Sequence, residues 1–272
     1  MSSGQQSGVS LIISTYNWPQ ALNLCLKSVC KQNLLPDEII IADDGSTSET
    51  KVLVEHFQRS CTIPIYHVWQ PDDGFQLAKI RNKAIAIASK AYIIQIDGDL
   101  ILDRNFIKDH VAFQQENTFV SGSRVIMNKE LSEQFLASEK VEVSLTETGL
   151  KNVSNGLRFP LLSKLMKNYK QQDIYYIRGC NMAFWRKDLL RVNGYNEEFV
   201  GWGREDNEIG SRLINSGVRK QVIKFSGIVF HIFHDEKTRT SLNTNDQVLQ
   251  LTISRKLTYC EKGVSQYNLV KP

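Results

Sequence analysis

Gly8-Val9-Ser10-Leu11-Ile12-Ile13-Ser14-Thr15-Tyr16-Asn17 is the stretch on which the fold turns. An apolar run of strand length, entered from a glycine and left through polar residues, reads as a buried strand over Val9–Ser14. Pro19 follows where a first helical turn accepts it, and Leu22, Cys25, Leu26 and Val29 fall on one face at helical spacing. The alternation then repeats. Strands are expected at Glu38–Ala42, Ile65–Trp69, Tyr92–Ile96 and Phe119–Gly122, with helical stretches around Glu49–Arg59 and Gln76–Ser89. Alternating strands and helices predict an α/β fold whose mostly parallel central sheet is flanked by helices.

Polar clusters stand at the far ends of four of these strands: Ser14-Thr15-Tyr16-Asn17, Asp43-Asp44-Gly45-Ser46, Gln70-Pro71-Asp72-Asp73-Gly74 and Asp97-Gly98-Asp99. In an open parallel sheet ligands bind outside the carboxyl ends of the strands, so these clusters are expected to converge on one site. From about Met127 to Asp173 the pattern weakens. Leu161-Leu162-Ser163-Lys164-Leu165-Met166-Lys167 within it reads as a short basic amphipathic helix, open to three readings: a membrane contact, a cover over an acceptor groove, or an ordinary surface helix. Patterning returns at Ile174–Ile177, continues through Arg178-Gly179-Cys180-Asn181 and a dense block from Asn193 to Asp235, and closes with an expected helix at Asp246–Lys256.

Composition narrows the class. At 272 residues, 42% hydrophobic and 23% charged, the chain suits one large domain or two small ones and excludes whole-chain disorder. A net charge of +4 is too small and too dispersed for a nucleic-acid surface, so no nucleic-acid partner is expected. No apolar window approaches the length of a membrane-spanning helix. Met1–Gly8 has neither the basic start nor the apolar core of a secretion signal. Five cysteines, an odd number with no CxxC pair, read as reduced thiols and place the protein in the cytoplasm. Asn152-Val153-Ser154 matches a glycosylation sequon and is read as a loop.

Three features carry chemistry. Asp97-Gly98-Asp99 leaves a buried strand with two carboxylates, the oxygen donors that hard divalent cations take beside substrate phosphates. His231 and His234 follow the apolar run Ile228-Val229-Phe230, and mixed imidazole and carboxylate ligation leans toward manganese. In Gly201-Trp202-Gly203-Arg204-Glu205-Asp206-Asn207-Glu208, glycines flank a tryptophan that can present a face to a sugar ring. The acids that follow open a helix, either as dipole partners or as a general base.

Together these residues resemble the inverting nucleotide-sugar glycosyltransferases of the GT-A fold, glycosyltransferase family 2. The resemblance runs through Ile13–Asn17, Ala42–Ser46, Gly74-Phe75 with Ala78 and Arg81-Asn82, and Asp97–Asp99. Asn193-Gly194-Tyr195 and Gly201–Asp206 resemble the galactosyltransferase region of β1,4-galactosyltransferases and bacterial chondroitin-type polymerases. The resemblance implies that Thr15, Tyr16, Asp43, Asp44 and Arg81 surround the uridine of a UDP-sugar, with Asp43 hydrogen-bonding the base. It implies Asp97 on the ribose or the metal, Asp99 as the principal ligand of Mn2+ (or Mg2+), His234 as a further ligand and His231 nearby. Asp206 matches the base that deprotonates the acceptor hydroxyl, Glu205 a neighbour holding sugar hydroxyls, Trp202 the wall of the sugar site, and Asn181 a donor-sugar loop. Arg204 departs from a glycine usual in the pattern, and Asn207 stands where a third acid often follows.

The expected arrangement is a single GT-A catalytic domain: a nucleotide-sugar half at 9–125, a variable acceptor- or membrane-facing segment at 126–172, a galactosyltransferase-like half at 173–240 and a helical tail at 241–272. The expected activity is metal-dependent, inverting transfer of a hexose or N-acetylhexosamine, of the galactose or GalNAc type, from a UDP-sugar to a glycan or lipid-linked acceptor. The setting would be bacterial surface polysaccharide synthesis, with peripheral contact at the inner membrane left open by the Leu161–Lys167 helix. The alternatives are a non-catalytic sugar- or nucleotide-binding module and a sugar nucleotidyltransferase, although Ser14–Asn17 is not the lysine- and glycine-rich loop the latter needs.

Overall fold

The computed structural model describes residues 8–235 and 241–268. The N-terminal residues 1–7, the 236–240 end of the expected second half and 269–272 of the expected tail lie outside the described residues. In chain order the strands are β1 Val9–Thr15, β2 Glu38–Asp43, β3 Ile65–Trp69, β4 Tyr92–Asp97, β5 Leu100–Leu102 and β6 Thr118–Ser121. They continue with β7 Val125–Met127, β8 Leu150–Lys151, β9 Asn181–Trp185, β10 Arg219–Val222 and β11 Val229–His231. The helices are α1 Pro19–Cys30, α2 Ser48–Ser60, α3 Leu77–Ile87, α4 Phe106–Ala112 and α5 Lys129–Ser138. After them come α6 Pro160–Leu165, α7 Arg186–Arg191, α8 Glu205–Asn215 and α9 Leu242–Ser254.

A seven-stranded sheet runs in the order β10-β6-β9-β4-β1-β2-β3, parallel throughout except at β9. Because successive side chains on a strand point to opposite faces, its apolar runs feed two cores at once. Leu11, Ile13, Ile39, Ile41, Ile94 and Ile96 pack with Leu22, Leu26 and Val29 of α1 and Val54 and Phe57 of α2. Ile12, Ile40, Ala42 and Ile93 face the other way, onto Ile80, Ala84 and Ile85 of α3 and Ile209 and Leu213 of α8. This double burial is why Val9–Ile13 reads as continuous apolar sequence and not as an alternating pattern.

Register aligns the carboxyl ends that matter. Thr15 lies opposite Asp43, Ser14 opposite Asp97, and Asp43 opposite Trp69. A second, four-stranded sheet in the order β5-β11-β7-β8 stands beside this edge, with its own apolar core of Ile101, Val125, Met127, Leu131, Phe135 and Phe230. In it His231 pairs opposite Leu100, and the Ile232 N–H donates to the Asp99 carbonyl at 2.9 Å.

One expectation about the second half, the start of its closing helix, is corrected. Ile174–Ile177, where the patterning returns, lies in turns, and Ile177 is buried as a plug against Gly210 of α8. The strand of this region is β9, which inserts antiparallel between β4 and β6, so residues from both halves of the chain share one sheet. The closing helix starts earlier than expected, at Leu242, and packs on α8, where Thr252 Oγ1 donates to Glu208 Oε1 at 3.1 Å. No helix among the described residues is long and apolar enough to cross a membrane.

Candidate active site

The loops after β1, β2, β3 and β4 meet along one edge of the large sheet. Tyr16 is exposed and donates through its hydroxyl to Asp72 Oδ2 at 2.9 Å, while Thr15 is buried at the strand end. Asp43, the last residue of β2, is buried. Its side chain is 1% exposed, Oδ1 accepts the Ser46 N–H at 2.8 Å, and Oδ2 meets His67 Nε2 at 2.8 Å. Asp44 is likewise engaged, accepting from Gln70 Nε2 at 2.6 Å and the Gln76 N–H at 2.9 Å. The two aspartates therefore brace the loops that end at Ser46, Trp69 and Gln76. The exposed aromatic faces here belong to Tyr16 and Trp69, and the Trp69 indole N–H donates to the Ser46 carbonyl at 3.0 Å.

Arg81 on α3 is the hub of the cleft. Fully buried, it donates from Nη1 to Asp206 Oδ1 at 2.9 Å, from Nη2 to Asp97 Oδ1 at 3.1 Å and from Nε to Ser14 Oγ at 3.3 Å. Its guanidinium lies 5.2 Å from the Tyr195 ring centroid, and the Tyr195 hydroxyl donates to Asp206 Oδ1 at 3.2 Å. Burial works against its charge, but Asp206, Tyr195 and Asp97 outweigh burial and keep it protonated. A fixed cation at this point gathers carboxylates that would otherwise repel one another. Burial pushes Asp97 up to about 6, with Arg81 opposing the rise and Asp99 adding to it.

Asp206 keeps one oxygen for chemistry. Among the described residues Oδ1 receives both of its protein hydrogen bonds, while Oδ2 lies against Gly179, where a methyl group would overlap it. Only glycine allows the 178–181 turn this close. On the reading that Asp206 acts as a general base, Gly179→Ala is expected to displace its carboxylate and lower kcat by about 10²-fold with an unchanged circular dichroism spectrum.

Glu205 opens α8 beside Asp206 and is buried with Oε2 lacking any partner among the described residues. Burial, and then the Asp206 charge, raise it from 4.5 to about 7. The folded state thus holds this proton more tightly than the unfolded chain, so its contribution to stability falls as pH rises between those two values. Glu205→Gln is expected to melt a few degrees above the parent at about pH 8 and to match it near about pH 4.5, read by thermal unfolding.

Across the cleft, Asp99 Oδ2 lies 3.3 Å from His234 Nε2 and 3.4 Å from His231 Nε2. Ligand atoms of the three residues all fall within 4.8 Å of one another. Their chemistry fits a divalent cation. Asp99 Oδ1 is buried without a hydrogen-bond partner among the described residues. Burial lowers His231 to about 4, leaving the neutral imidazole that a metal binds. His234 Nδ1 lies 2.8 Å from the Asp235 carbonyl, a contact that sets the tautomer and turns Nε2 to the ligand side. Burial alone would raise Asp99, but the His234 and His231 side chains beside it hold it below its usual value.

Trp202 is 39% exposed on the turn before α8, whose Gly201 N–H donates to the Phe75 carbonyl at 3.0 Å. Arg204 has φ +77, a left-handed conformation that costs a side-chain-bearing residue about 1 kcal/mol and accounts for the glycine usual there. It is held by an ion pair from Nε to Asp246 Oδ1 at 2.5 Å and by stacking over Tyr175 at 5.3 Å. Asn207, in place of an acid, donates to the Ile174 carbonyl at 2.8 Å and so anchors the loop that carries Ile177.

Asn181 is corrected. It is the first residue of β9 and fully buried, with Nδ2 donating to the Ser123 and Gly227 carbonyls and Oδ1 meeting His110 Nε2 at 2.9 Å. A fully satisfied interior amide has nothing left for a sugar. Arg124, which the motif reading passed over, points to the cleft instead. It is half-buried on the loop after β6, its one side-chain hydrogen bond among the described residues going to Cys180 Sγ at 3.4 Å. Burial opposes its charge, and Cys180, Asp97 and Asp99 favour it. The strand-end rule, applied to the fifth expected strand as to the first four, finds it.

A model of the family described as glycosyl transferase family 2 matches residues 10–192, and one described as the N-terminal domain of galactosyltransferase matches residues 160–235. The chondroitin synthase of Escherichia coli is 29% identical over 225 residues, 77% of this chain and 32% of that protein. The chain thus spans about a third of that relative's length. Staphylococcus aureus TarS 1-349, solved in complex with UDP-GlcNAc, matches with a TM-score of 0.63 at 16% identity, covering 95% of this chain and 69% of that one. The mannosyltransferase PcManGT from Pyrobaculum calidifontis, in complex with GDP-Man and Mn2+, matches with a TM-score of 0.60 at 14% identity over 93% and 73%. At these identities the two solved structures share the fold with this chain.

Proposed function

Since the chain belongs to glycosyl transferase family 2, we propose that it is an inverting, metal-dependent hexosyl- or N-acetylhexosaminyltransferase. Its donor is a UDP-sugar, galactose or GalNAc in type, and its acceptor a hydroxyl of a glycan or lipid-linked sugar in bacterial surface polysaccharide synthesis. The protein works in the cytoplasm, peripheral at the inner face of the membrane. The fold is GT-A, as the sequence led us to expect. One observation carries this reading: Asp206, with one oxygen held by Arg81 and Tyr195, faces the same cleft as the Asp99–His231–His234 cluster.

In this reading Tyr16 and Trp69 frame the nucleotide, with Thr15, Asp43 and Asp44 bracing the loops around it, and Trp202 walls the sugar. Asp99, His231 and His234 would hold Mn2+ or Mg2+, with Asp97 at its side; bound there, the ion neutralises charge on the departing nucleoside diphosphate. Arg124 adds the protein's own positive charge on that side. Asp206 Oδ2 takes the acceptor proton as the acceptor oxygen attacks the anomeric carbon. The new C–O bond forms on the face opposite the breaking bond to the diphosphate, so the anomeric centre inverts without a covalent enzyme intermediate.

The test is UDP release over a panel of UDP-sugars with Mn2+, before and after EDTA. Release that needs the metal, with a β-linked product from an α-linked donor, is the expected result. Calorimetric UDP binding with no release over an acceptor panel would instead identify a binding module. Pyrophosphate consumption or formation would identify a nucleotidyltransferase.

A further inference from the structure

The segment 157–170 is built inside out. In α6 the buried residue is Ser163, while Leu161 and Leu165, four apart and therefore on one face, are 82% and 83% exposed. Leu157, Phe159, Leu162 and Tyr169 are exposed around them. An ordinary surface helix turns its leucines to the core and its serine and lysines to water. Here the apolar side faces outward over a stretch that holds no aspartate or glutamate from Leu157 to Gln172.

Charge says what covers it. Arg158 is committed to Asp109 at 2.6 Å, while Lys164 stands on α6 between the two leucines, and Lys167 and Lys170 follow it in the chain, Lys167 Nζ donating to Gln115 Oε1 at 3.2 Å. Lys224 lies 5.0 Å from the Tyr169 ring and 5.3 Å from Phe225. Asp173, 4.0 Å from Lys170, is the acid at the edge of the patch. A lysine-rich segment repels a second copy of itself but matches an anionic surface, and leucines within it suit the boundary between headgroups and acyl chains.

Position ties the patch to the cleft. The Phe159 N–H donates to the Phe225 carbonyl at 2.9 Å, and the Val222 N–H to the Lys167 carbonyl at 2.9 Å. Asn155 Nδ2 donates to the Arg124 carbonyl at 3.0 Å, on the loop that borders the candidate active site.

We propose that Phe159, Leu161 and Leu165, together with Lys164, Lys167, Lys170 and Lys224, form a docking surface for an anionic lipid bilayer. The surface would bring the cleft to a lipid-linked acceptor. It rests on the proposed activity for that acceptor alone, since bilayer binding needs no turnover. The test is sedimentation of the full chain with phosphatidylcholine vesicles, with and without phosphatidylglycerol, at low and high salt. Binding to the anionic vesicles at least about 10-fold stronger than to the neutral ones, and weakened by salt, is expected. Leu161→Ser with Leu165→Ser should weaken it at least about 10-fold while UDP release with a soluble acceptor is unchanged, both side chains being solvent-exposed. Lys164→Glu with Lys167→Glu should act in the same direction. Failure of the parent protein to sediment at low salt, or equal binding by the leucine variant, overturns the proposal. So does a parent dimer, seen by analytical ultracentrifugation, that the leucine substitutions dissociate. Vesicle binding without UDP release leaves the docking surface standing and removes the transferase reading.

Discussion

Asp206→Asn is expected to lower kcat by about 10³-fold while UDP still binds and the thermal unfolding curve is nearly unchanged. The amide keeps an oxygen where Oδ1 now accepts from Arg81 and Tyr195, so the buried guanidinium retains its partners. What changes is the other atom. An NH2 group replaces Oδ2 beside Gly179 and cannot take a proton from an attacking hydroxyl. Asp206→Ala is a poorer test, because it also removes the oxygen that accepts from the buried arginine and so mixes folding with chemistry. Single-turnover transfer, with UDP affinity measured separately, checks the prediction. Unchanged kcat in the asparagine variant would sink the base assignment.

Asp99→Ala should be equally severe for activity, about 10³-fold, and should show a second signature that a packing defect would not. Mn2+ is expected to raise the melting temperature of the parent protein, because a ligand that binds only the folded state stabilises it by mass action. The variant should lose that rise. Each melting temperature is read against the same protein without metal, because Asp99 Oδ2 also meets His234 and His231 and its loss shifts that baseline. A variant that still responds to Mn2+ would move the metal to other ligands.

The parallel half of the sheet was legible because its determinants are local. Val9–Thr15, Glu38–Asp43 and Tyr92–Asp97 are apolar runs of strand length, each ending where polar residues begin, and burial on both faces leaves that mark in any such strand. Asp97-Gly98-Asp99 was found by the same reasoning. The second half hid its strand because Asn181–Trp185 opens with an asparagine whose amide is spent on interior carbonyls, whereas the more strand-like Ile174–Ile177 only plugs a gap beside Gly210. Asn181 was misplaced for the same reason: a polar residue after a glycine-containing turn looks alike in sequence whether it faces a ligand or the interior.

Some of the site was beyond any motif. That Arg81 joins Asp206 to Asp97 depends on α3, α8 and β4 meeting at one point, and that Gly179 must be a glycine depends on where the Asp206 carboxylate comes to rest. Periodicity and strand-end chemistry, properties of a few successive residues, determined the α/β class, the edge of the sheet that carries the site and the acids and histidines that stand on it. The tertiary structure alone decided which of these meet. Pairing of β11 with β5 brings His231 to Asp99, and close packing in a dry cleft makes Asp43 a brace, Asp206 a carboxylate with one oxygen in reserve and Glu205 a costly acid. Such distances are set by sheet register and side-chain volume between residues far apart in the chain, and no local pattern encodes them.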